Sequence, residues 1–131
     1  WNGSIWTTTT SLSDGRINPG GAGTQTAALA FGGDPGPAAT TATEEWNAGI
    51  NLGAWYTGGS LNTARKRLAG FGTQTSALAV GGTSDPPVRA NTELYNGTTW
   101  AELNDLNVAR SRNINGWHSF WWRNSRSCSG R

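Results

Sequence analysis

The side chains that could do chemistry in this chain of 131 residues are few and scattered. There is one histidine, His118, and one cysteine, Cys128, and no cluster of His, Cys or carboxylate residues has the spacing of metal ligands. Glu44 and Glu45 are adjacent on a predicted strand, where neighbouring side chains point to opposite faces, so they do not predict an acid–base pair. We therefore expect no catalytic residue, no metal, no cofactor and no enzyme activity.

Three arginines, Arg16, Arg65 and Arg110, stand at equivalent places in a repeating sequence. A guanidinium group suits two-pronged binding of a carboxylate or a phosphate, so these arginines suggest an acidic sugar or an acidic peptide as ligand. The other interpretation is architectural: each arginine pairs with Glu44 or Glu93, or with a carbonyl group of the adjoining repeat, and binds nothing else. The sequence leaves both interpretations open.

The elements that position these side chains belong to an internal repeat. The segment 23–33, GTQTAALAFGG, returns almost unchanged as 72–82, GTQTSALAVGG. A short apolar run closed by Gly-Gly predicts a buried strand and then a sharp exit at positive φ. The run Gly20-Gly21-Ala22-Gly23 has the composition of a phosphate-binding loop, but no Lys-Ser/Thr pair follows it, and entry into a strand is the better interpretation.

Each repeat predicts four short strands, which in the second copy cover roughly 65–73, 76–80, 90–95 and 99–103. Asn96-Gly97 joins the third strand to the fourth, as Asn2-Gly3 would in an earlier copy, and this dipeptide is a strong hairpin signal. Eight tryptophans, abundant glycine and the lack of an amphipathic run favour an all-β protein.

The spaced pattern resembles the Kelch repeat, which also builds the central domain of galactose oxidase. The second copy carries Leu78-Ala79-Val80-Gly81-Gly82, Tyr95, Trp100, Leu106 and Ala109-Arg110, and the first carries Ala30-Phe31-Gly32-Gly33, Trp46, Trp55, Leu61 and Ala64-Arg65. Trp46 replaces the usual Tyr, and the first copy has an insertion within 47–54. The resemblance covers about residues 1–112 and implies four-stranded antiparallel blades around a central channel. The compact repeat also resembles repeats of predicted phage and marine microbial proteins.

This resemblance implies an all-β fold of Kelch-like β-propeller blades that form an incomplete ring in one chain. Residues 1–122 would be the propeller fragment, with a partial blade 1–15, blades 16–60 and 61–105, and a partial blade 106–122. Aromatic residues at fixed repeat positions are expected to pack between blades rather than to stack on sugars: Trp6, Trp46, Trp55, Tyr95 and Trp100.

Closure of the ring is expected to need a second copy of the chain, because propellers typically have about four to eight blades. The simplest closed form is a homodimer with about six blades. The segment 117–122 stands where the repeat predicts a second strand, and its aromatic residues are the expected seam between protomers: Trp117, Phe120, Trp121 and Trp122.

In a Kelch-like blade, the link into the first strand and the loop after Gly-Gly open on the same face. Arg16, Arg65 and Arg110, with Asp34 and Asp85, would then surround the mouth of the channel. The expected function is a non-catalytic β-propeller module that self-associates and binds an acidic carbohydrate or a protein ligand. The alternative is a fragment of a glycosidase-like or oxidase-like propeller enzyme whose catalytic residues lie in other repeats.

Charge is divided unevenly along the chain. Residues 1–109 carry five basic and eight acidic side chains, whereas 110–131 carry five arginines and no acid. We expect the basic tail 123–131 to be disordered, and we do not expect nucleic-acid binding because the positive charges are sparse. No apolar stretch approaches the ~20 residues that cross a bilayer and no signal peptide is visible, so we expect no membrane partner.

Overall fold

A computed structural model describes residues 4–49 and 53–111, and this part of the chain contains eight strands and no helix. β1–β4 form the first sheet and β5–β8 form the second, each antiparallel and ordered as in the sequence. The strands are β1 (Gly20–Gly23), β2 (Ala27–Phe31), β3 (Thr43–Asn47), β4 (Ala54–Thr57), β5 (Ala69–Thr73), β6 (Ser76–Val80), β7 (Thr92–Tyr95) and β8 (Trp100–Glu102). The all-β prediction and the four strands for each repeat are confirmed, but the described residues do not form a closed ring.

The first strand of each sheet has a glycine at its last or next-to-last position, and the turn that follows requires it. Gly23 and Gly72 have φ of 106° and 116°. A Cβ atom at either position would lie 2.3 Å from the carbonyl oxygen of Ala27 or Ser76. The glycine-rich run 20–23 forms β1, an edge strand of the first sheet, so the predicted strand is present in place of a phosphate-binding loop.

Each Gly-Gly doublet makes a backbone hydrogen bond to the segment that follows the last strand of its sheet. Gly32 and Gly33 have φ of 62° and 95°, so the predicted sharp exit at positive φ is confirmed. The N–H of Gly33 donates to the carbonyl oxygen of Arg65 at 2.8 Å. In the second sheet, the N–H of Gly82 donates to the carbonyl oxygen of Arg110 at the same distance.

The predicted hairpin at Asn96-Gly97 is also present. Gly97 has a φ of 93°, and the Asn96 side-chain oxygen accepts the N–H groups of Thr98 and Thr99, both at 2.9 Å. The predicted first strand 65–73 begins later, at Ala69, because Arg67 has a φ of 55° and donates its N–H to Asn18 outside any strand.

The hydrophobic core lies where the two sheets face each other. Phe31 of the first sheet and Tyr95 of the second are 0% and 1% exposed, and Trp100 is nearly as buried. Leu61 and Leu68 close the same cluster. None of the described residues forms a helix long and apolar enough to span a membrane.

Candidate functional site

The contact between the two sheets is built on Trp100. Its ring centroid lies 4.9 Å from that of Phe31, and its indole Nε1–H donates to Thr43 Oγ1 at 3.0 Å. Beside it, the Tyr95 hydroxyl donates to Glu45 Oε1 at 2.5 Å. One face of the second sheet thus meets the first sheet through aromatic rings and through side-chain hydrogen bonds that include these two.

Burial controls the ionisation of Tyr95. Burial, followed by the hydrogen bond to Glu45, raises the pKa of Tyr95 to about 12. The phenol therefore keeps its proton at neutral pH and remains the donor that Glu45 accepts. Glu44 and Glu45 make contacts on opposite sides of β3, as predicted for neighbours on a strand.

Arg65 is completely enclosed in the second repeat. Its Nη1 donates to the carbonyl oxygens of Gly81 and Asn91, each at 2.8 Å, and its Nη2 pairs with Glu93 Oε1 at 2.7 Å. Both side chains of this ion pair are 0% exposed. Desolvation lowers the pKa of Arg65 and the Glu93 charge opposes that effect.

Arg16 repeats this arrangement in the first sheet. It pairs with Glu44, and its Nη1 donates to the carbonyl oxygen of Ala42 at 3.1 Å. A buried guanidinium group that pairs with a buried carboxylate is not open to a ligand from solvent. The contacts of Arg16 and Arg65 therefore match the architectural interpretation of the arginines and not a ligand ring.

Arg110 differs from the other two arginines. The carbonyl oxygen of Arg110 accepts the N–H of Gly82, as that of Arg65 accepts the N–H of Gly33. The Arg110 side chain, however, is exposed, and its Nε donates to the carbonyl oxygen of Val108 at 3.4 Å. Among residues 4–49 and 53–111, no carboxylate pairs with it.

Asp34 and Asp85 meet at Lys66, which sequence reasoning missed. Lys66 Nζ lies 2.5 Å from Asp34 Oδ2 and also pairs with Asp85, so it joins an acid of the first repeat to one of the second. The hydrogen bond to Lys66 holds the pKa of Asp34 below 3.8, and its two acidic partners raise the pKa of Lys66 above 10.5. A usable signal existed: Lys66 is the single lysine of the chain and stands where the first repeat has Ile17.

The first sheet has an open face, which we define by Ala28, Trp46 and Trp55 and call the first open face. The rings of Trp46 and Trp55 lie 5.5 Å apart, and Trp46 Nε1–H donates to the carbonyl oxygen of Gln25 at 3.0 Å. A groove of about 430 Å³ separates these rings from Trp6, which is 82% exposed. Trp46 and Trp55 occupy the repeat positions of Tyr95 and Trp100, but in the described structure no second sheet packs against them.

The second sheet has an open face on its opposite side, defined by Leu78, Val80 and Thr92, which we call the second open face. A cavity of about 630 Å³ lies against it and is lined by Leu78, Thr92 and Leu103 among others. The Thr92 hydroxyl is buried and makes no hydrogen bond to any residue in the described part of the chain. Thr43, at the equivalent repeat position, accepts the indole N–H of Trp100.

Gln74, in the hairpin between β5 and β6, makes a hydrogen bond to the neighbouring sheet. Its Nε2 donates to the carbonyl oxygen of Trp46 at 2.7 Å, across the contact between the sheets. The equivalent Gln25 is exposed at the edge of the first open face. The glutamine at this repeat position therefore makes a hydrogen bond between the sheets in the second repeat and is exposed at the outer face in the first.

Several predicted residues lie outside the described part of the chain: the seam residues Trp117, Phe120, Trp121 and Trp122, and the tail 123–131. Within the described ranges, no group of three or more His, Cys, Asp or Glu residues could hold a metal ion.

No family model and no curated protein matches the chain. Among solved structures, that of YjhT is similar, with a TM-score of 0.67 and 13% sequence identity. The similarity covers 78% of this chain and 36% of that one, so the chain spans about a third of the length of YjhT. At this identity the likeness concerns the fold alone.

Proposed function

We propose that this chain is a non-catalytic assembly module, a Kelch-like propeller fragment that closes its ring of blades by binding copies of itself. One observation carries the proposal: the two open faces bear the repeat positions that pack together between the two sheets. On the first open face, Trp55 occupies the repeat position of Trp100. On the second open face, Val80 and Thr92 occupy the repeat positions of Phe31 and Thr43.

Apolar side chains also lie on both open faces, among them Trp46 and Trp55 on the first and Leu78 and Val80 on the second. Burial of apolar surface contributes roughly 25 cal/mol per Å², and tryptophans such as Trp6 and Trp55 are among the largest contributors. Because the two faces are unlike, copies would join head to tail. A head-to-tail contact closes into a ring when its rotation allows.

A shared blade explains how the copies would fit. The middle link 61–65 lies between the sheets: Leu61 N–H donates to the carbonyl oxygen of Thr41, just before β3, and Asn62 N–H donates to Glu93 of the second sheet. The first link 12–16 and the last link 106–110 hold the equivalent places at the two outer faces. Direct packing of the second open face of one copy on the first open face of another would put both links in the same space.

We therefore place one blade between them. Residues after Arg110 of one copy and residues before Leu12 of the next would build it together. The exposed guanidinium group of Arg110 would then enter this shared blade, as Arg65 enters the second sheet. Each copy would supply about three blades and a dimer about six, within the range known for propellers.

The other candidate functions have less support. The side chains of Arg16 and Arg65 are buried and form ion pairs with Glu44 and Glu93. Of the three arginines expected to bind a ligand at the channel mouth, Arg110 is the one with an exposed side chain. No feature of the described residues favours a propeller enzyme over an assembly module.

Co-purification of two differently tagged copies tests the proposal. After co-expression, capture of one tag should recover both copies. Leu78→Arg, which puts a charge on the second open face, should abolish this recovery, whereas Tyr56→Arg, at an exposed position of β4 that faces away from the first open face, should not. Circular dichroism would confirm that both variants fold. Recovery of only the captured copy for the parent chain would contradict the proposal.

A further inference from the structure

We propose that Trp6 of one copy packs on the second open face of the preceding copy and donates its indole N–H to Thr92 Oγ1 of that copy. This inference rests on the self-association proposed above and names the residues that make it specific.

The contact between the two sheets provides the template. Trp100 packs on Phe31 and donates its Nε1–H to Thr43 Oγ1, and this hydrogen bond is buried. In the repeat, Val80 takes the place of Phe31, and Thr92 takes the place of Thr43. The second open face thus retains an apolar platform and a hydroxyl acceptor in the same arrangement.

The Thr92 hydroxyl indicates that something is missing from this face. It is buried, yet among residues 4–49 and 53–111 it has no hydrogen-bond partner. Buried polar groups are nearly always satisfied, because an unsatisfied one loses its hydrogen bonds to water without replacement. The adjoining cavity of about 630 Å³ has room for a large side chain.

The occupant that fits is a tryptophan of a second copy. An indole N–H only donates, and it matches an acceptor at the end of an apolar platform. Trp6 aligns with Trp55 and Trp100 in the repeat and is 82% exposed, although it carries a large apolar ring. Trp55 is the less suitable donor, since its approach would bring the two outer links into the same space.

The proposal also determines which copy supplies which residue. In the shared blade, Trp6 occupies the fourth-strand position, as Trp100 does in β8. The blade before it is the second sheet of the other copy, which carries Thr92 in β7. A closed dimer would therefore contain two identical Trp6–Thr92 seams.

A double-mutant cycle on the full chain tests the pairing. The dissociation constant of the oligomer would be measured by sedimentation for the parent, Trp6→Phe, Thr92→Val and the double variant. Each single change removes one hydrogen-bonding group and should weaken each seam by about 3- to 10-fold. The double variant should be no weaker than either single variant, because the same bond is lost. Trp6→Ala should weaken association by roughly 30-fold or more.

Two matched controls separate this seam from other effects. Tyr56→Ala removes an exposed aromatic side chain from β4 and should leave the dissociation constant unchanged. Thr43→Val disturbs the contact inside the chain and should change stability without changing association. If Trp55→Phe couples to Thr92→Val and Trp6→Phe does not, the copies pack directly and the inference is overturned.

Failure of the inference is distinguishable from failure of the proposed function. An oligomer that persists with additive Trp6 and Thr92 effects overturns the pairing and leaves self-association intact. A monomeric parent chain overturns both.

Discussion

The indole ring of Trp100 packs against the phenyl ring of Phe31, with the two centroids 4.9 Å apart. This pair joins the two sheets at the centre of the hydrophobic core. The equivalent tryptophan of the first sheet, Trp55, lies on an open face instead. One repeat position therefore serves the stability of the chain in one sheet and, we propose, its assembly in the other.

This difference leads to the first prediction. Trp100→Ala should lower the free energy of unfolding by about 3–5 kcal/mol, the usual loss for a large buried aromatic side chain. Trp55→Ala should cost clearly less, because its ring is only half-buried. Urea denaturation would measure both in a Leu78→Arg background, which is expected to keep the chain monomeric, since association adds to apparent stability. Equal losses for the two variants would contradict the assigned positions.

The second prediction concerns the buried ion pair. Arg65→Met or Glu93→Gln should each cost about 3–5 kcal/mol, since each leaves a buried group without its partner. The double variant should cost much less than the sum of the two. Arg110→Met is the control and should change the stability of the isolated chain little, as its side chain is exposed. A tolerated Arg65→Met would show that the ion pair is not structural.

The third prediction is a dependence on acid at Lys66. Because the pKa of Asp34 is lowered in the folded chain, its contribution is complete above the ordinary value of 3.8 and is lost as the pH falls through the lowered pKa. Lys66→Met should therefore destabilise the chain at about pH 6, and the difference from the parent should shrink as the pH falls below 3.8. Urea midpoints of the variant and the parent at several pH values would show it. A constant difference across that range would exclude the Asp34 pairing as its cause.

The fourth prediction concerns Tyr95 in alkali. Its pKa is raised to about 12, so its contribution is complete below the ordinary value of 10.0 and is lost as the pH rises through about 12. An ultraviolet titration should show a late tyrosinate step that Tyr95→Phe removes. Tyr95→Phe should also destabilise the chain by about 1–2 kcal/mol through loss of the donor to Glu45. A late step that survives in Tyr95→Phe would contradict the assignment.

The repeat made much of the fold predictable. The Gly-Gly doublets and Asn96-Gly97 specified turns through backbone conformations that few other residues adopt, and these turns are present. Alternation along β3 correctly separated Glu44 from Glu45. These features are local, so neighbouring residues were enough to predict them.

The candidate site was less predictable because it depends on which repeat positions face a neighbour. Arg65 gave an ambiguous signal, since the same guanidinium group suits a ligand or a buried glutamate, and only its burial distinguishes the two. Thr92 gave almost none, because a threonine in a strand is ordinary. Its importance emerges only from the hydrogen bond that Thr43 makes across the sheets. Lys66 was missed because it pairs with acids of two different repeats.

The central claim is self-association, and the mass in solution tests it most directly. Multi-angle light scattering on the purified chain should give a closed species of twice the chain mass of 13.8 kDa at micromolar concentration. Trp6→Ala should shift this species towards the monomer at the same concentration while its circular dichroism spectrum stays that of the parent. A folded monomer of 13.8 kDa throughout the micromolar range would contradict the account.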